Sequence, residues 1–126
     1  MTRAGSAQRL FWPLAIATVL AACGPKVGSE CERNSACGAG LICDLATEGG
    51  YCTQTPCRAN ECAEEAVCID FGTETTWCML ACETDADCRG GQACLPAEAT
   101  FTNAGSPRCL DSKTRCKFCG VAPPSA

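Results

Sequence analysis

The residues best equipped for chemistry in this chain are its cysteines, and "CKFC", Cys116 to Cys119, has the C-x-x-C spacing shared by redox and zinc sites. A redox pair needs a thiolate activated at a helix N-terminus within a strand-and-helix fold, whereas this run leads straight into "GVAPPSA". Zinc asks for a second matching pair. Structural pairing of Cys116 and Cys119, with each other or with cysteines upstream, is therefore the expectation, and redox or metal handling is the alternative. The acidic residues offer less. "ETDAD" sets Glu83, Asp85 and Asp87 at alternate positions, like the opening of a calcium loop, but an EF-hand begun there needs Gly where Cys88 stands and Glu where Cys94 stands. Glu64 and Glu65 are neighbours rather than carboxylates opposed across a cleft, and the chain has no histidine to act as base. No catalytic residue, cofactor or metal is assigned, and the expectation is a protein that is not an enzyme.

A sharper possibility is "LPAEATFTNAGSPR", Leu95 to Arg108, lying between two cysteines. Disulfides that hold an exposed loop rigid lower the entropy lost on binding, so a proteinase inhibitor is a second alternative. The plainer reading is a tolerated loop insertion.

The first cysteine has a different setting. Arg3 and Arg9 precede the apolar run "LFWPLAIATVL", Leu10 to Leu20, and small residues follow it; these are the three parts of an export signal. Eleven apolar residues are too few to span about 30 Å of hydrocarbon as a helix. The segment Leu20-Ala21-Ala22-Cys23 resembles the lipobox of bacterial lipoproteins. That resemblance implies a diacylglyceryl group on the Cys23 sulfur, cleavage just before Cys23 and acylation of the freed amine. It also implies, with Gly24 rather than Asp next in the chain, an outer-membrane destination in a cell that has one. An ordinary signal peptide, with Cys23 joining the disulfides, is the alternative. Several acyl chains on one residue give a stable anchor where one myristoyl chain would not.

Behind these residues stands a framework that must position them. Beyond residue 22 the chain carries sixteen large apolar side chains, too few to offset the entropy of ordering it. Crosslinks must supply the rest. Setting Cys23 apart, fourteen cysteines remain of fifteen, enough for seven disulfides in an oxidising compartment. The same span has eight basic and fourteen acidic residues, a net charge of −6, so it shows no basic footprint for nucleic acid. Residues 106–126 reverse the balance with Arg108, Lys113, Arg115 and Lys117, read as a solvated loop or, alternatively, a contact for anionic lipid or polysaccharide.

The cysteines repeat. Unit one holds Cys31, Cys37, Cys43 and Cys52; unit two holds Cys57, Cys62, Cys68 and Cys78; unit three holds Cys82, Cys88, Cys94 and Cys109. The gap between second and third cysteines is always five residues, and Tyr51 and Trp77 immediately precede the fourth cysteines of units one and two. In unit two, "AVCIDF" and "TTWCML" around "GTE" predict a β-hairpin; unit one has a weaker version, and "ANECAEEAV" could make a helical turn or two. Four cysteines allow three pairings per unit, which spacing does not distinguish; first-to-third with second-to-fourth is a working guess.

With "CGAGLIC" and "CRGGQAC" carrying Gly40 and Gly91, and Glu65 at the matching place in unit two, the repeat resembles the N-terminal cysteine-rich region of Dickkopf proteins. The resemblance implies a small disulfide-stapled module and maps no partner-binding residues. The resulting expectation is a small disulfide-rich fold of loops and short β-hairpins in about three tandem four-cysteine units, with little helix. Its organisation is a signal peptide at 1–22, a lipidated tether at 23–30, a cysteine-rich domain at 31–119 and a disordered tail at 120–126. The expected role is a membrane-anchored binding or envelope-structural module, its partners being the membrane through Cys23 and an unidentified protein or polysaccharide, with no nucleic acid.

Overall fold

The computed structural model describes residues 24–97, 107–112 and 116–121. The lipobox with Cys23, the middle of the Leu95–Arg108 loop and residues 122–126 lie outside the described residues. The described chain forms seven short strands: β1 (Ile42–Asp44), β2 (Tyr51–Thr53), β3 (Ala66–Asp70), β4 (Thr76–Leu80), β5 (Ala93–Pro96), β6 (Arg108–Cys109) and β7 (Lys117–Gly120), with single 3-10 turns at Asn34–Cys37 and Asp85–Asp87. They make three small antiparallel sheets, β1-β2, β4-β3-β6 and β5-β7. This is the disulfide-rich fold of loops and hairpins expected from the cysteine spacing. Among the described residues no helix is long and apolar enough to cross a membrane.

Each unit is one hairpin closed by two crosslinks. The third and fourth cysteines sit directly opposite each other across the ladder, Cys43 with Cys52, Cys68 with Cys78 and Cys94 with Cys119. Opposed residues send their side chains to the same face, yet these sulfurs do not bond each other. The third cysteine reaches the first, giving Cys31–Cys43, Cys57–Cys68 and Cys82–Cys94. The fourth reaches the second, giving Cys37–Cys52, Cys62–Cys78 and Cys88–Cys119.

The constant five-residue gap follows from a turn that uses all of it: the backbone N–H two residues before the third cysteine donates to the carbonyl five before, as in Leu41 to Gly38 (3.4 Å), Ala66 to Ala63 (2.9 Å) and Gln92 to Arg89 (3.1 Å). Gly40 and Gly91 take positive φ there, 78° and 84°, which glycine adopts without steric cost.

Four expectations are corrected. Unit three does not close on Cys109; its fourth cysteine is Cys119, and Cys109 bonds Cys116. Residues 97–116, between β5 and β7, are therefore an insertion into the third hairpin, carrying a staple of its own. The tether is also shorter than 23–30. Val27 is buried, and Gly28 and Ser29 already pair with Cys52, through Gly28 N–H to Cys52 O (2.8 Å) and Cys52 N–H to Ser29 O (2.9 Å). At the other end Gly120 belongs to β7 and is buried, so the tail starts no earlier than Val121. Finally, "ANECAEEAV" makes turns rather than helix: the crosslinks at Cys57, Cys62 and Cys68 fix its ends, and Asn60 is held at φ 60°.

Successive units share strands. The stretch before each first cysteine pairs with the strand of that unit's fourth: Cys78 N–H donates to Gln54 O (2.9 Å), and Ala81 bridges Phe118. Thus β2 closes unit one while its continuation opens unit two, and β4 does the same for unit three. The buried residues form three small clusters rather than one core, and cysteines belong to all three. Sulfur takes the space that a larger domain gives to aliphatic side chains.

Candidate binding cleft

In each hairpin the residue just before the fourth cysteine must face away from the disulfides, because side chains alternate along a strand. That place holds Tyr51, Trp77 and Phe118, an aromatic in every unit. Phe118 is the residue that identifies "KFC" as the end of unit three, matching "GYC" and "TWC". The three aromatics meet different fates.

Tyr51 is the hinge pin of the assembly. Its ring is buried, its hydroxyl accepts a hydrogen bond from Leu80 N–H (2.8 Å) and donates to Cys119 O (3.2 Å), and so one side chain of unit one holds the ends of units two and three. Arg89 of unit three lies 5.6 Å from the ring centroid, a cation–π distance. Its guanidinium also donates to the carbonyls of Gly28 (3.2 Å), Glu48 (3.1 Å) and Gly50. Burial pushes the phenol up to about 12, against smaller lowering contributions from the Leu80 N–H and the Arg89 charge. Phe118 is also buried, packed edge-on to Phe71 with centroids 5.5 Å apart.

Trp77 is only partly buried. It lines a cleft of about 270 Å³ together with Asp44 and Thr47 of unit one, Phe71, Thr73 and Met79. A second hollow of about 300 Å³, walled by Leu95, Phe118 and Val121, shares Thr47, Tyr51, Phe71 and Met79 with the first. The two are halves of one groove where all three units meet. Among the described residues Asp44 is the only charged side chain lining either half, and Val121 is 63% exposed. A wider hollow of about 680 Å³ elsewhere is bordered by Glu30, Glu32, Arg33 and Glu48; it lacks an aromatic wall.

Compared with protein-family models, with curated proteins and with solved structures, the chain matches none.

The other candidates from the sequence are spent on structure. Cys116 and Cys119 belong to different disulfides and are both buried, so they do not form a C-x-x-C pair. In "ETDAD", the Asp87 carboxylate accepts from Glu83 N–H (2.9 Å) and Thr84 N–H (3.1 Å), bonds that hold its pKa below the usual carboxylate value. Asp85 accepts from Cys94 N–H (2.8 Å). Two of the three carboxylates are thus turned onto their own backbone. The ends of the Leu95–Arg108 segment are fixed in different sheets, Leu95 opposite Phe118 and Arg108 opposite Asp70, where an ion pair of 3.7 Å joins the latter two.

One feature escaped the sequence reading. Asn34 and Asp85 both stand three residues after a first cysteine, and each caps the N–H of its unit's third cysteine, Asn34 onto Cys43 at 2.9 Å. The signal was present as "CERN", "CRAN" and "CETD". It lay beside the cysteines and was masked by them.

Proposed function

We propose that the protein is an extracytoplasmic lipoprotein in which acyl chains on Cys23 hold a rigid, non-catalytic binding body at a membrane, the outer membrane where the cell has one. The observation that supports this reading is the cysteine pairing: seven disulfides consume fourteen of fifteen cysteines, and Cys23 is the one left over in the count. Disulfides in this number also suit an oxidising compartment. With the body starting at Val27, the leash from Cys23 spans four Cα steps, at most about 14 Å.

Mass spectrometry of the native protein, before and after reduction, tests the anchor. The expected result is a chain beginning at Cys23 with added lipid mass, and fourteen thiols released only on reduction. A free thiol at Cys23 would defeat the reading. The variant Cys23→Ala should leave the membrane fraction and stay resistant to protease; retention with the membrane would mean that something other than lipid holds it.

A further inference from the structure

We propose that the groove beneath Trp77 receives an extended peptide segment of a protein partner in which a lysine or arginine lies two residues from a large apolar side chain. The inference rests on the groove being the binding face of the module and is independent of the lipid.

Three observations carry it. First, the groove has two halves of about 270 and 300 Å³ that share a floor of Thr47, Tyr51, Phe71 and Met79. Each half lies at or below the small end of pockets for whole small molecules, about 300–1,000 Å³, and suits one large side chain. Residues i and i+2 of an extended chain project to the same side, about 7 Å apart, so neighbouring halves under one wall match two alternate side chains.

Second, the halves differ in chemistry. One brings the Trp77 indole and the Asp44 carboxylate to the same hollow, the pairing that favours a cation. The other is walled by Leu95, Phe118 and Val121, with Gln92 as its added polar side chain and no charged group among the described residues, which favours an apolar side chain. The net charge of −6 beyond residue 22 attracts basic segments to the molecule as a whole. A neutral saccharide would leave the Asp44 charge unmatched and set hydroxyls against the apolar wall of Leu95, Phe118 and Val121.

Third, the walls need no assembly. The groove is built from the outward faces of three hairpins pinned by disulfides and by Tyr51, so little ordering cost falls on binding.

The test uses the otherwise intact Cys23→Ala/Trp12→Phe chain and the emission of Trp77, which is then its only tryptophan. The probe is the peptide Ac-Ala-Lys-Ala-Phe-Ala-NH2. It should change the emission saturably, and replacing its lysine by glutamate or its phenylalanine by serine should weaken binding about tenfold in each case. The variant Asp44→Asn keeps the Oδ1 atom that accepts from Ala46 N–H (3.0 Å), so the local turn survives. It should weaken the lysine peptide about fivefold and leave a methionine-for-lysine peptide unchanged, a coupling that general loss of structure does not mimic. No saturable response to the lysine peptide, equal binding of the glutamate peptide, or indifference to Asp44→Asn would overturn the proposal. A response to maltohexaose with silence to the peptides would replace it with saccharide recognition.

Discussion

Units one and three close upon themselves, whereas unit two is completed by its neighbours. In the outer units the polar residue three places after the first cysteine caps the third: Asn34 serves Cys43 and Asp85 serves Cys94. Unit two has Asn60 at that place, but its first gap is one residue shorter. The turn slips accordingly, from Ala36 N–H to Arg33 O and Asp87 N–H to Thr84 O in the outer units to Glu61 N–H to Arg58 O here, and Asn60 goes to positive φ. Its cap is lent by the insertion from unit three. Asp111 accepts from Cys68 N–H (3.4 Å) and Asn60 N–H (2.8 Å), while Asn60 Oδ1 accepts from Ser112 N–H (3.3 Å). The lesson is that the middle unit is the joint of the molecule, and the unit that most depends on others also leaves its aromatic, Trp77, partly open.

Breaking the route by which unit three supports unit two should cost most. The double variant Cys88→Ala/Cys119→Ala removes a crosslink across 31 residues, worth about 4 kcal/mol by loop entropy. Hydrogen exchange should show the amides of Asn60 and Cys68 losing protection together with unit three, although no disulfide of unit two is touched. If unit two kept its protection, the dependence described here would be absent.

The next effect concerns Tyr51, which joins all three units. Its folded pKa of about 12 lies above the ordinary 10, so the neutral phenol is the form the fold favours. Stability is full below pH 10 and falls as the pH rises from 10 toward 12, by about 2–3 kcal/mol in all. As the chain's single tyrosine, it gives an unambiguous phenolate absorbance, with a midpoint expected near 12 in the folded protein and near 10 once reduced and denatured. A midpoint of 10 in both states would show that the hydroxyl is not held as described.

The smallest effect sharpens the comparison of caps. Asp111→Ala frees two backbone N–H groups and should cost about 1–2 kcal/mol, against about 1 kcal/mol or less for Asn34→Ala, which frees one exposed group. Denaturant melts of the two variants decide the order. The reverse ranking would make unit two no more dependent than unit one.

Much of this was legible in the cysteines. The hairpin of unit two was expected from "AVCIDF" and "TTWCML" and forms as β3 and β4, because β-branched and aromatic residues flank a turn held by Gly72 N–H to Asp70 Oδ1 (2.8 Å). Unit three was misread because its repeat is interrupted: the nearest cysteine downstream, Cys109, belongs to the insertion, and only Phe118 before Cys119 betrays the true partner. The groove was illegible for a different reason. Asp44, Trp77 and Leu95 come from three units, and nothing in the spacing of one unit states how the next packs on it.

The insertion also bears on how the chain would meet a protease. It leaves β5 at Ala97 and returns at Pro107, and everything C-terminal to that point is bolted to the body by Cys88–Cys119. A single cut between those residues therefore yields two polypeptides that still travel as one particle, and only a reductant would part them.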